Sequence, residues 1–258
     1  MTRKRSKAEW TRRYLSFVVI LFVIAFGTSL SIRANLGSSP ISCPPYILSL
    51  VPGMGMTMGQ LTICMHVFFI AIQLLLLRRN FERRQFAQML VSFLFGFYTD
   101  LTMWITSFLQ IPADLNPLIG YPLRGAVLAF GIACEVRCDS LMLAGEGLPL
   151  AISKFLNRDF GKVKICSDTS LVIIGTVFMF IFFGKWNWHM VGIGTLVSMF
   201  YVGAMVRVFA PHVKWLDIIF IPQAEREAMA KAHHEQTAGN KNLVVTIART
   251  YGSGGTEI

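Results

Sequence analysis

Long apolar runs separated by short polar segments set the pattern of this chain. Six runs approach the ~20 residues that a helix needs to cross a hydrocarbon core. They are Tyr14 to Ile32, Leu61 to Leu77, Phe86 to Leu109, Leu118 to Val136, Cys166 to Phe183 and Met190 to Val208. The fourth is the weakest, because Arg124 interrupts its start. Two more segments, Gly37 to Leu50 and Gly145 to Phe155, are apolar but too short and too broken to span. Each opens with small residues and proline and then becomes helix-like. Non-helical backbone at membrane depth must be buried in protein or line a wet cavity. Both segments therefore read as re-entrant or interfacial half-helices.

Composition supports a membrane-embedded chain. Hydrophobic residues make up 54% of the 258 positions and charged residues only 15%, against about a quarter charged in a soluble domain. Mean hydropathy is +0.56. The net charge of +10 is gathered between apolar runs, which excludes a soluble nucleic-acid binder with a basic face. One set of flanks carries Arg3, Lys4, Arg5, Lys7, Arg12 and Arg13, then Arg78, Arg79, Arg83 and Arg84. It continues with Arg137, Lys154, Arg158, Lys162 and Lys164, then Arg207 and Lys214. The opposite flanks hold Arg33, Arg124 and Lys185. Positive residues stay inside, so a bacterial cytoplasmic membrane with both termini in the cytoplasm is expected. Trp186 and Trp188 fit the outer aromatic belt, and Trp215 the inner one. No small-residue cleavage site follows the basic N-terminus, so the first run reads as a retained helix. The five cysteines form no CxxC pair and read as small apolar core residues.

The two halves of the chain resemble each other. Phe26-Gly27 followed by Arg33 matches Phe130-Gly131 followed by Arg137, an offset of 104 (33 to 137). Gly59 to Cys64 matches Gly161 to Cys166 at an offset of 102 (59 to 161). Leu90-Val91-Ser92 matches Leu196-Val197-Ser198 at 106 (90 to 196). Three spans per copy is an odd number, so the copies must sit upside down relative to each other. The expected fold is thus an all-α membrane protein of about six transmembrane helices in two inverted three-helix repeats, each with one broken half-helix. Such repeats are characteristic of secondary transporters.

Arg33-Ala-Asn-Leu-Gly-Ser-Ser-Pro40, Gly96-Phe-Tyr-Thr-Asp100, Gly145-Glu-Gly-Leu-Pro149 and Gly192-Ile-Gly-Thr-Leu196 resemble stretches of the YczE/YyaS/YitT group of bacterial membrane proteins, its YczE-like branch in particular. The resemblance covers roughly residues 14 to 215. Where that group often has Asp or Trp-Asp after the re-entrant proline, this chain has Ile41-Ser42, and Pro149 stands where an acid is expected in the second copy. The resemblance implies an architecture and no particular activity.

Beyond the membrane part, Gln223 to Asn242 is polar and reads as a solvated linker. Leu243 to Ala248 has a strand pattern and runs into Arg249-Thr-Tyr-Gly-Ser-Gly-Gly255. Strand-to-glycine turns open many phosphate loops, because bare backbone can wrap phosphate oxygens. The stretch resembles the start of cytidylate-kinase-like domains, with Gly252, Ser253, Gly254 and Gly255 as an incomplete phosphate loop. No further kinase residues follow, so the expectation is a truncated fusion with no catalysis of its own. The chain divides into a basic N-terminus (1–13), two membrane repeats (14–110 and 111–215), a linker (216–242) and the kinase-like start (243–258).

Candidate chemistry lies in a few charged residues at membrane depth, where charge is costly. Asp100, near the middle of the third run, is the candidate proton or cation site. Arg33 and Arg137, at equivalent repeat positions, are candidate anion ligands aided by half-helix N-termini. Glu146 and Asp168 complete the set, with Glu146 placed at the cytoplasmic entrance. Glu135 and Asp139 flank Arg137 and would neutralise it, while His66 and Gln73 fit helix–helix hydrogen bonds better than metal binding. No metal cluster, catalytic pair or cofactor is indicated. Two function classes follow: a small-solute transporter or permease of unknown substrate, or a membrane anchor or sensor for an attached nucleotide-binding domain. The partners expected are the lipid bilayer, a small solute or ion, and a nucleotide through a missing C-terminal domain.

Overall fold

The computed structural model describes residues 6–33, 37–78, 86–108, 117–223 and 227, with 117–123 described for the backbone alone. Every element among the described residues is helical. In chain order they are α1 (Lys7–Arg33), a 3-10 turn (Pro40–Ser42) continuing as α2 (Cys43–Ser49), α3 (Met58–Leu77) and α4 (Ala87–Phe108). Then come α5 (Pro117–Cys138), α6 (Ala144–Leu156), α7 (Phe160–Phe183), α8 (Ile193–Phe209), a 3-10 turn (His212–Trp215) and α9 (Leu216–Phe220). Of the expected linker, residues 216–223 and 227 are described and begin with α9, whereas the strand pattern and the glycine-rich turn of the C-terminal tail lie outside the described residues.

Four of these helices, α1, α3, α4 and α7, are long and apolar enough to cross a membrane. A fifth is added if α8 and the segment His212–Phe220, bent by 51°, count as one span. The expected six runs fall largely on helices, and among the described residues these are the ones that meet the length and hydropathy that spanning requires. Large apolar side chains such as Leu75, Leu90, Phe97, Phe200 and Ile181 are exposed around the outside, which is the surface of a membrane protein facing acyl chains. Both broken segments are helical and short. α2 has 7 residues and α6 has 13, each below the spanning length. Pro44 and Pro45 sit in the first turn of α2, where a missing N–H costs nothing. Asn157 and Gly184 end α6 and α7 in left-handed conformation, the usual way to stop a helix.

The centre of the molecule is the crossing of α1 and α5. Phe17, Ile20, Leu21, Ile24 and Ala25 recur at helical spacing on the buried face of α1, with Leu128, Ala133 and Cys134 of α5 in the same cluster. Glycines set the distance of approach. A Cβ on Gly27 would stand 2.5 Å from the Leu128 backbone nitrogen, and one on Gly131 would stand 2.8 Å from Ile24 Cγ1. Around this crossing, α1 packs on α4 and α5 on α8, while α3 packs on α6 and α7 on α2. The last two pairs again meet at glycine. The Cys43 side chain of α2 fills the space beside Gly175 of α7, and Gln73 of α3 lies where a Cβ on Gly147 of α6 would be, 2.9 Å from its Oε1. The link between the first broken segment and α8 is also tight. Gly37 has φ +108 and backs onto Gly192 and Thr195, and the Ser38 backbone N–H and hydroxyl donate to the Met190 carbonyl at 3.3 Å.

Gly27→Ala should lower thermal stability in detergent or nanodiscs, since the new methyl meets backbone rather than a movable side chain, at a cost of about 1–3 kcal/mol. Gly203→Ala, in α8 with nothing within 4 Å of the new Cβ, should leave the melting temperature unchanged or raise it. Equal effects would show that the crossing is not close-packed.

Candidate functional site

The buried face of α3 carries three polar side chains among apolar ones. Thr62 and His66 stand one turn apart and Gln73 two turns further on, each buried to within 4% exposure. They face Thr99 of α4 and the start of α6. A cavity of about 10 Å³, room for a single water, is lined by Thr28, Ser42, Thr62, His66, Phe95 and Thr99 among others. The hydroxyls of Thr28, Thr62 and Thr99 donate back to the carbonyls of Ile24, Met58 and Phe95 at 2.8–2.9 Å. That is how an apolar helix satisfies a threonine without breaking its ladder. The His66 ring stacks on Phe95, centroids 5.8 Å apart. Three buried atoms along this seam find no partner among the described residues: His66 Nδ1, Gln73 Oε1 and Gln88 Oε1. Gly147, at the start of α6, makes room for both glutamines, with Gln88 Nε2 2.8 Å from the position of its absent Cβ. The expected helix–helix bond of Gln73 is present but long, 3.5 Å from its Nε2 to the Ala144 carbonyl.

At the start of α6 the seam becomes ionic. Lys164 of α7 pairs with Glu146 of α6 at 3.2 Å and with Asp168, one turn on in α7, at 2.9 Å. The structure thus brings together two of the residues expected at a site, through a lysine that was read only as a cytoplasmic flank. Glu135 does not neutralise Arg137. Its carboxylate is buried and accepts from the Leu143 backbone N–H at 3.1 Å, at the residue preceding α6. The reason is geometric: residues two apart on a helix do not face each other.

Asp100 lies past the middle of α4 and caps α3. Its carboxylate accepts from the Gly59 backbone N–H at 2.7 Å and from the Thr57 hydroxyl at 2.6 Å. Thr57 and Gln60 also form a reciprocal capping box there, so the α3 N-terminus has its free donors satisfied and its positive dipole end offset. Its partners are a hydroxyl and an amide, not a base. Arg33, exposed at the end of α1, donates to the Met103 carbonyl at 3.1 Å. Arg137 pairs with Asp217 of α9, its Nε 3.0 Å from Oδ1. The hydrogen bonds of the two arginines thus go to other helices, Arg33 to α4 and Arg137 to α9, while Arg33 also lies close enough to Tyr46 of α2 to act on it electrostatically. Gly252, Ser253, Gly254 and Gly255 lie outside the described residues.

One buried pair was missed altogether. Arg13 is held by Glu9 at 2.9 Å, donates to the Cys138 carbonyl at 2.6 Å and lies over the Phe220 ring at 5.0 Å. A cation at the C-terminal carbonyls of α5 is well placed for that helix dipole. A missed signal was in plain view. Under the repeat offsets, Ser42 corresponds to Glu146 (42 to 146), Thr62 to Lys164 (62 to 164) and His66 to Asp168 (66 to 168). The neutral cavity and the ionic group occupy matching positions.

Lys164→Met should destabilise the protein more than the triple change Glu146→Gln, Lys164→Met and Asp168→Asn. The single change strands two carboxylates in a poorly solvated crevice, a loss of about 2 kcal/mol, between the values for exposed and fully buried pairs. The triple change leaves no charge unpaired. Asp100→Asn should fold but melt lower, by about 1 kcal/mol for the lost charge at the α3 N-terminus. Unfolding followed by a buried-thiol probe or scanning fluorimetry checks both orders.

The comparisons with known proteins bear on the membrane part. A family model described as a family of unknown function (DUF6198) matches residues 11–211. The chain is 24% identical over 204 residues to the uncharacterized protein YyaS of Bacillus subtilis (strain 168), covering 78% of this chain and 94% of that protein. No solved structure matches. With most of its length inside that model, from α1 to the end of α8, the chain belongs to the DUF6198 family of unknown function.

Proposed function

We propose that this protein is a permease for a small polar solute in a bacterial cytoplasmic membrane. In this reading it has six spans in two inverted halves, both termini are cytoplasmic, and α2 and α6 are re-entrant half-helices. The observation that carries the reading is the polar seam along α3. Each buried polar atom without a partner costs about 1–3 kcal/mol, and apolar residues at His66, Gln73 and Gln88 would spare that cost. A bundle built only for stability has no use for three such atoms in a row. A route for a polar solute does, because the solute supplies the missing bonds.

The pairing of helices supports the inverted halves. Ile24 and Gly27 of α1 meet Leu128 and Gly131 of α5 reciprocally, residue against equivalent partner, as across a two-fold axis. Cys43 against Gly175 and Gly147 against Gln73 repeat that reciprocity at the half-helices. Each half-helix thus packs on a long helix of the other half. The cavity as it stands admits one water, so passage of a larger solute requires a second conformation. The Glu146–Lys164–Asp168 group on one side and the neutral crevice on the other give the two halves different chemistry for that exchange. A membrane anchor is the rival reading, and the smallness of the cavity is what favours it.

Two measurements decide. Reporter fusions at Asn80, Asn116, Asn157 and Asn187 should read in, out, in and out, and a cytoplasmic Asn116 sinks the six-span arrangement. Proteoliposomes screened with small labelled metabolites and ions should take up one chemical class above empty vesicles. Gln73→Leu together with Gln88→Leu should reduce that uptake at least roughly tenfold, the worth of one or two hydrogen bonds to solute. Uptake of nothing across the panel leaves the anchor.

A further inference from the structure

The cavity beside His66 has a chemistry of its own. Three threonine hydroxyls line it, and each has given its proton to a carbonyl of its own helix: Thr28 to Ile24, Thr62 to Met58 and Thr99 to Phe95. A hydroxyl whose proton is engaged offers only lone pairs. Ser42 is the exception, since its oxygen accepts from Ser39 at 2.9 Å and its own proton is uncommitted. His66, 1% exposed, presents a ring nitrogen with no partner. A neutral imidazole can offer one nitrogen as an acceptor. The remaining wall is apolar or aromatic, including the face-stacked Phe95. The cavity therefore has a surplus of acceptors, an aromatic ring and the volume of about one water.

From this geometry we infer that the Thr28–Thr62–Thr99–His66 cavity binds a single ammonium ion. A water-sized ligand that donates in several directions satisfies the threonine oxygens and the imidazole nitrogen at once. Sodium or potassium would be served by the hydroxyl oxygens but poorly by an imidazole, which is a ligand for softer metals. The repulsion of a cation by the α3 N-terminus is offset by a neighbouring carboxylate. Met58 lines the cavity at the first turn of α3, whose N-terminus would repel a cation, and Asp100 bonds to that terminus at Gly59 N–H. The inference names a ligand for the seam on which the permease reading rests, but its binding arm stands without transport.

The test uses the full chain in lipid nanodiscs, titrated with ammonium chloride at constant ionic strength made up with N-methylglucamine chloride. Thermal stability should rise saturably with ammonium, and less with sodium or potassium. Thr62→Val and Thr99→Val, close in shape, should each weaken half-saturation roughly tenfold, the value of one hydrogen bond to a charged partner. Thr106→Val, a buried threonine of α4 outside the cavity lining, should leave the response intact and controls for general loosening. A response equal for all three cations, or strongest for sodium, overturns the inference. So does an ammonium response that survives both cavity variants, or none at all, which leaves a structural water only. Ammonium binding with no uptake of ammonium or of any other solute in the panel keeps the inference and removes the permease reading.

Discussion

Everything in this structure depends on how closely α1 and α5 approach. Two glycines on each other's path let backbone meet backbone, and a membrane gives helices no hydrophobic reason to associate beyond such packing. The gain comes from dispersion between many atoms at contact distance. Once this crossing is set, the positions of α4 and α8 follow, since each lies along the outside of one of the central pair. The two short helices then have only the crevices between the long helices to fill.

The same apolar surroundings govern the polar residues. Threonine and serine at membrane depth return their protons to their own helices, as Thr28, Thr62, Thr99 and Thr106 all do. Side chains too long for that solution must find partners across helices. Arg13 does so on carbonyls at the end of α5, and Lys164 between two carboxylates. Gln73 and Gln88 succeed only in part. Polarity is therefore concentrated on one flank of the central crossing, between α3, α4 and α6, while the α1–α5 contact itself is nearly all apolar.

Much of the fold was legible in the sequence because hydrophobic runs and glycine spacing report directly on helices and their approach. The runs, the two broken segments and the matching glycines at 27 and 131 all correspond to elements seen in three dimensions. The site was less legible. Which carboxylate meets which base depends on inter-helix packing, and sequence distance is a poor guide to that. Asp100 read as a candidate ion site, and sequence distance hid its partners, which belong to the start of a neighbouring helix at Thr57 and Gly59. Glu135 looked like a partner for Arg137 because it is two residues away, yet helical rotation turns it toward Leu143. Arg13 looked like a solvated flank, and only the later α9 and the end of α5 give it neighbours.

The exchange of short helices between halves has a consequence for biogenesis. Cys43 of α2 packs against Gly175 of α7, a residue made much later by the ribosome. At bacterial rates of synthesis that interval is on the order of ten seconds. During it, the first half is inserted with α2 facing lipid, translocon or chaperone instead of its native neighbour. Until then α2 has only α3, the other helix it packs on, for shelter. Its maturation has to wait for α7, so ribosome pausing between the two halves lengthens the time at risk of degradation.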